Sequence, residues 1–144
     1  PGMKVLQFAF DAKGDSDYLP HNYTNNCVVY TGTHDNDTVN GWISSLNRKD
    51  FAFAKKYLNV KRRPDLCESL IRTALGCVAD TAIIPIQDYL GLGGEARINI
   101  PSTLGGNWEW RMEHDACTEE LSKRMLELSL LYGRTTRKDT KKHQ

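Results

Sequence analysis

Hydrophobic and polar positions alternate between two periods along this chain, and the switches between them outline its elements. Residues 3–10, Met-Lys-Val-Leu-Gln-Phe-Ala-Phe, form an apolar run broken only by Lys4 and Gln7, and they predict a first strand. A polar connection with Gly14, Asp15, Ser16, Asp17 and the stretch Pro20 to Asn26 follows, long enough to suggest a functional loop. A second strand is predicted over about 27–33, where Val28, Val29 and Tyr30 suit burial on both faces. It ends abruptly in His34, Asp35, Asn36 and Asp37, with a helix or turn expected next. Apolar strands that end in ionisable clusters are how α/β proteins present reactive groups to a crevice.

Beyond Trp42 the period changes to 3.6. Asn47 can cap a helix whose apolar face carries Phe51, Ala54, Tyr57 and Leu58. Pro64 suits the start of a second helix, striped by Leu66, Leu70, Ala74, Leu75 and Val78 and running to about Asp80. Residues 81–87, Thr-Ala-Ile-Ile-Pro-Ile-Gln, predict a third strand, although Pro85 lacks an N–H and needs a bulge or a strand end. An irregular, glycine-marked stretch extends from Gly91 to Arg111. The final helix has Thr118 as its cap, Glu119 and Glu120 against the dipole, and Gly133 at the position after its end. Leu121, Met125, Leu128 and Tyr132 form its apolar stripe. Strands separated by helices point to an α/β fold with parallel pairing. Three strands leave both sheet edges open. Together with Pro at residue 1 and a strand that starts at once, this leads us to expect an incomplete architecture, a piece of a longer polypeptide.

Composition changes this picture little. The formal charge of +1 conceals a basic end: residues 134–144 hold five Lys/Arg and one Asp, leaving 14 basic and 17 acidic groups in the rest. The body gives no reason to expect nucleic acid, and the basic end reads as a disordered, solvated tail. No apolar run reaches membrane-spanning length. Cys27, Cys67, Cys77 and Cys117 are widely spaced and signal neither a zinc site nor a disulfide framework, so free thiols are expected.

The acidic cluster admits several readings. As a calcium loop it fails, with Asn40 at the sixth position and Leu46 at the twelfth. Asp35, Asp37 and Val39 match the haloacid-dehalogenase-type phosphatase signature locally. Thr-Gly-Thr-His intervenes after the strand, however, and the chain has no Asp-Asp pair for magnesium. Capping a helix needs Asp37 alone. Gly91-Leu92-Gly93-Gly94-Glu95-Ala96 fits a dinucleotide fingerprint formally, but Pro101 and the extended character of Ile98 to Ile100 argue against the required helix. A tight loop beside a ligand suits these glycines better. Flat rings bind the apolar faces of sugars, and Phe8, Trp42, Trp108 and Trp110 are candidates, with core packing as the alternative for each. His21 and His114 read as solvated loop residues.

Tyr30-Thr31-Gly32-Thr33-His34-Asp35-Asn36-Asp37-Thr38 with Gly41-Trp42 resembles the signature of 4-α-glucanotransferases, also called amylomaltases or disproportionating enzymes, of glycoside hydrolase family 77. Residues 1–10, Leu19 to Tyr23, Pro85 to Asp88, Ala96 to Pro101 and Gly106 to Arg111 also resemble that family, in its order. The resemblance covers residues 1 to about 133. It implies the C-terminal part of a (β/α)8 barrel of the α-amylase clan, its sixth to eighth strands, with 134–144 as the tail. It further implies retaining transfer of a 1,4-α-glucan segment from a maltooligosaccharide donor to glucose or another glucan, with no cofactor and no metal. Asp35 matches the carboxylate that stabilises the transition state, His34 and Asn99 match substrate contacts, and Phe8 matches an aromatic near the acceptor. The nucleophile and the acid/base would lie upstream of Pro1, so the isolated chain is expected to be inactive. A bacterial cytoplasm or a plastid is the implied location. One departure stands out: Ser102 occupies a position where the family commonly has Gly.

Overall fold

A computed structural model describes residues 1–135. The expected disordered tail therefore lies, from residue 136 on, outside the described residues. Contacts divide the chain into two compact units, Pro1–Arg111 and a second that begins at Met112.

The first unit is built on a parallel sheet of three strands in the order β1-β2-β3. Strand β1 (Gly2–Val5) pairs with β2 (Cys27–Tyr30) from Gly2↔Cys27 to Val5↔Tyr30, and β2 pairs with β3 (Thr81–Ile83) from Val28↔Thr81 to Tyr30↔Ile83. Parallel pairing runs all three strands in one direction, so the segments that follow them emerge at one end of the sheet. The α/β class and the parallel order agree with the sequence pattern.

All three strands are shorter than expected. The apolar run at 3–10 leaves the sheet after Val5 and turns through a 3₁₀ segment, Leu6–Phe8. Leu6 in that turn and Ala9 and Phe10 just after it stay buried, so apolar content continues past the end of the strand and conceals it. Strand β2 stops at Tyr30, because Thr31 turns its hydroxyl to a buried carboxylate. Strand β3 stops at Ile83, and Pro85 takes the cap position of a single helical turn, α4 (Ile86–Tyr89). Proline thus occupies a position beyond the strand, where its missing N–H costs nothing.

Between β2 and β3 the chain forms α1 (Val39–Ser45), α2 (Arg48–Tyr57) and α3 (Asp65–Gly76). Thr38 caps α1 by accepting from the Gly41 N–H, and Asn47 caps α2 by accepting from the N–H groups of Lys49 and Asp50. Helix α2 ends on Asn59 in the left-handed conformation, φ 53°. The Asn59 and Val60 N–H groups then satisfy the carbonyls of Lys56 and Lys55. Helix α3 is the core element. Leu66, Leu70, Ile71 and Ala74 are fully buried, and it touches α1, α4 and β3. Each buried Leu or Ile of that stripe contributes about 1.5–3 kcal/mol. Helix α3 stops at Gly76 rather than near Asp80, and Val78, expected in its stripe, lies outside the helix and is half exposed.

In the second unit, α5 (Glu119–Leu131) has the expected termini. Thr118 accepts from the Leu121 N–H, and Gly133 adopts φ 67°. The Gly133 and Arg134 N–H groups close on the carbonyls of Leu130 and Ser129.

Candidate active site

The segment after β2 forms a compact knot. Asn36 Oδ1 accepts from both the N–H and the hydroxyl of Thr33, at 2.9 and 2.8 Å, and the Asn36 N–H returns to the Thr33 carbonyl. This short turn pushes His34 and Asp35 outward, where both are exposed. Asn36 is thus a structural residue.

Asp37 is structural too. Its Oδ1 accepts from the Thr38 N–H at 2.8 Å, and its carboxylate lies so close to the backbone of Gly41 that a Cβ there would collide with it. Gly94 approaches the same carboxylate, within 3.3 Å of where a Cβ would sit. The two carboxylates of the Asp-Asn-Asp cluster therefore have different surroundings, one wedged against backbone and one open.

Three long-range anchors fix the knot. Gln7, buried just after β1, donates from Nε2 to the Asp37 carbonyl at 2.8 Å. Gly32 leaves room for that amide, since a Cβ at 32 would lie 2.5 Å from Gln7 Nε2. Asp88, 2 % exposed on α4, accepts from the Thr31 hydroxyl at 2.6 Å and from the Val39 N–H at 2.8 Å. Burial pushes the Asp88 carboxyl above its ordinary value; the two donors draw it partly back, and nearby Asp37 raises it again. Arg97 is the third anchor. Its guanidinium donates to the Asp35 carbonyl at 2.7 Å and to the Asn99 carbonyl at 2.9 Å, tying together the segments that follow β2 and α4.

Asp35, His34 and Asn99 meet as a trio. Asn99 Nδ2 donates to Asp35 Oδ1 at 2.7 Å, and His34 Nε2 lies 3.3 Å from the same oxygen. Asp35 Oδ2 receives no hydrogen bond from the described residues. With half of the side chain exposed, that oxygen is free to accept from a ligand hydroxyl. The ring of His34 packs on Trp108, centroids 5.1 Å apart. Beside the trio lies a cleft of about 30 Å³, space for about one water, lined by Thr33, His34, Asn36, Asp37, Gln87 and Arg97 among others.

Phe8 is exposed but stands apart, edge-on to Tyr18 at 5.5 Å, with no hydrogen bond or ring contact to the trio among the described residues. Trp42 packs on Phe10 at 5.8 Å and serves the core. His21 is exposed, yet its Nδ1 lies 2.9 Å from the Tyr57 hydroxyl, so it has a protein partner as well as solvent. Gly94–Ala96 is a 3₁₀ turn, and no helix starts at the glycines, which removes the dinucleotide reading. Sequence reasoning missed Gln7, Asp88 and Arg97 as anchors. Their signal was a polar or charged residue embedded in an otherwise apolar or strand-like stretch.

A sequence profile described as 4-alpha-glucanotransferase matches residues 1–118. The chain belongs to the 4-alpha-glucanotransferase family. A chloroplastic/amyloplastic 4-alpha-glucanotransferase of Arabidopsis thaliana is 48% identical over 137 residues, covering 93% of this chain and 24% of the relative. That of Clostridium butyricum is 47% identical over 135 residues, covering 93% and 28%. Among solved structures, an amylomaltase from Streptococcus agalactiae in complex with acarbose superposes with a TM-score of 0.89 at 39% identity, covering 94% of this chain and 28% of that one. The chain thus spans about a quarter of the length of the glucanotransferases it matches. Family membership also removes the phosphatase reading of Asp35, Asp37 and Val39.

Proposed function

We propose that this chain is the C-terminal part of the (β/α)8 barrel of a 4-α-glucanotransferase, contributing its sixth to eighth strands. The complete enzyme transfers a 1,4-α-glucan segment from a maltooligosaccharide donor to glucose or another glucan. Family membership, the parallel three-stranded sheet and the quarter-length match support this reading. A bacterial cytoplasm or a plastid is the location this reading carries, and the bacterial and chloroplastic/amyloplastic relatives support it.

In this reading Asp35 grips the sugar at the reacting centre. Cleavage with retention passes through an oxocarbenium-like state, and hydrogen bonds from the sugar's 2- and 3-hydroxyls to a fixed carboxylate strengthen as positive charge develops. The observation that carries the assignment is the split environment of the carboxylate: Oδ1 is held by Asn99 and His34, and Oδ2 is open. An oxygen already held costs no reorganisation when charge appears. His34 and Asn99 then serve twice, as supports for Asp35 and as contacts to the same sugar, while Phe8 faces the acceptor. The nucleophile and the acid/base belong to the upstream strands. The covalent glycosyl intermediate is intercepted by a sugar hydroxyl, which requires the assembled site to exclude water.

The test is Asp35→Asn in the complete enzyme, assayed by disproportionation of maltotriose. Loss of about 10²–10³ in kcat is expected, the effect of removing one key electrostatic group. Transfer close to the unaltered enzyme would sink the assignment.

A further inference from the structure

Trp108 is the most costly residue in its surroundings. Only three non-glycine residues among those described adopt positive φ: Asn59, Ser102 and Trp108, the last at 64°. Asparagine tolerates that region and serine is small, whereas a bulky side chain there is a genuine outlier. Such strain persists where the surroundings enforce it, and it clusters at ligand clamps. Here the enforcement is visible. The Trp108 N–H donates to the Ile98 carbonyl at 2.7 Å, and Arg111 donates to the Trp108 carbonyl at 2.9 Å. Burial within this chain does not repay it, because Trp108 is 57% exposed here. One of the largest apolar side chains is thus held in an unfavourable backbone and left open to solvent. Its ring packs on His34, the neighbour of Asp35, and its backbone is joined to Ile98, next to Asn99.

We infer that Trp108 is a stacking platform for a glucose unit of the bound α-glucan, next to the unit gripped by Asp35. An indole face matches the axial C–H face of a pyranose, and a ring braced by His34 loses little freedom on stacking. The strained turn aims the ring. A binding role explains three facts together: the open face, the left-handed backbone and the contact with His34. Trp42, by contrast, packs on Phe10 and needs no ligand to account for it.

The inference rests on the glucanotransferase reading, and the test separates the two. In the complete enzyme, Trp108→Gly and Trp108→Phe are compared with the unaltered protein for acarbose affinity by calorimetry, maltotriose disproportionation and melting temperature. Glycine takes φ 64° without strain, so Trp108→Gly is expected to melt no lower than the unaltered enzyme, which guards against a folding artefact. It should nevertheless bind acarbose about tenfold more weakly, while Trp108→Phe, which keeps a flat face, stays within about threefold. Acarbose affinity unchanged in Trp108→Gly would overturn the inference, as would equal weakening in both variants. An unaltered enzyme that neither binds acarbose nor disproportionates maltotriose would overturn this inference together with the proposed function. One that does both, beside an unaffected Trp108→Gly, would overturn the platform alone.

Discussion

The carboxylate of Asp88 lies where removal and neutralisation should have different consequences. It is 2 % exposed and accepts two hydrogen bonds from groups that are themselves buried, the Thr31 hydroxyl and the Val39 N–H. Asp88→Leu leaves both donors without an acceptor. Each orphaned donor costs about 1–3 kcal/mol, partly offset because no carboxylate need then be desolvated, so a net loss of about 3 kcal/mol is expected. Asp88→Asn keeps an oxygen for Val39, and its amide can donate to the Thr31 hydroxyl, so about 1 kcal/mol or less should be lost. The pH dependence follows from the direction of the shift. Burial raises the Asp88 carboxyl in the folded chain above its value of 3.8 in the open chain. Between those two values the folded state binds more protons than the unfolded state. This contribution to stability is fully present below the unfolded value and is lost as pH rises through the folded one. Urea unfolding of the 144-residue chain, followed by circular dichroism from pH 3.5 upward, measures both effects. With a slope of about 2 kcal/mol per molar urea, Asp88→Leu should lower the midpoint by about 1.5 M. Asp88→Asn should flatten the decline with pH. Equal midpoints for the Leu and Asn variants, or an unchanged pH profile in Asp88→Asn, would refute the reasoning.

Substitutions at two further positions probe the loop beyond the third strand. Ser102 adopts φ 62°, a conformation that favours glycine, so Ser102→Gly should stabilise the chain by about 1 kcal/mol; a lower urea midpoint would contradict this. Arg97→Met in the complete enzyme removes the clamp on the Asp35 and Asn99 carbonyls and should lower kcat for maltotriose about tenfold, with KM little changed. Arg97→Lys should not rescue it, because a single ammonium cannot hold both carbonyls in the guanidinium geometry. Full activity in the methionine variant would show that the clamp is dispensable, and full activity in the lysine variant alone would show that the guanidinium geometry is not required.

Capped helix ends were the most legible part of this fold, although the end of α3 at Gly76 was not. Asn47, Thr118 and Gly133 each announce a local hydrogen-bonding arrangement that depends on the few residues around it, and each acts in the structure as its position indicated. Strand ends were less legible. Leu6, Ala9 and Phe10, in and just after a 3₁₀ turn, are as buried as they would be in a sheet, so hydrophobicity alone could not mark where β1 stops. At position 102, where the resembling family commonly has glycine, serine takes a backbone conformation that glycine would adopt freely. Within the site, the family resemblance singled out Asp35, His34 and Asn99, and the structure joins them. The role of Asn36 is local, in a turn closed on Thr33, but that of Asp37 could not be read locally. Asp37 owes much of its role to Gln7 and Gly94, which only the folded chain brings near it. The anchors Asp88 and Arg97 were hidden for the same reason, being 57 and 62 residues from their partners Thr31 and Asp35.

Those separations also set a clock. Asp35 is 64 residues from Asn99, which holds its carboxylate. At a synthesis rate of roughly 5–20 residues per second, the aspartate waits about 3–13 s after its own peptide bond forms before that asparagine exists. Loop closure and strand pairing take microseconds, so each earlier partner can engage as soon as it emerges. Gln7 is made before the knot it anchors, and Asp88 and Arg97 come well after it. The Asp35 carboxylate is therefore among the last parts of this unit to be set in place.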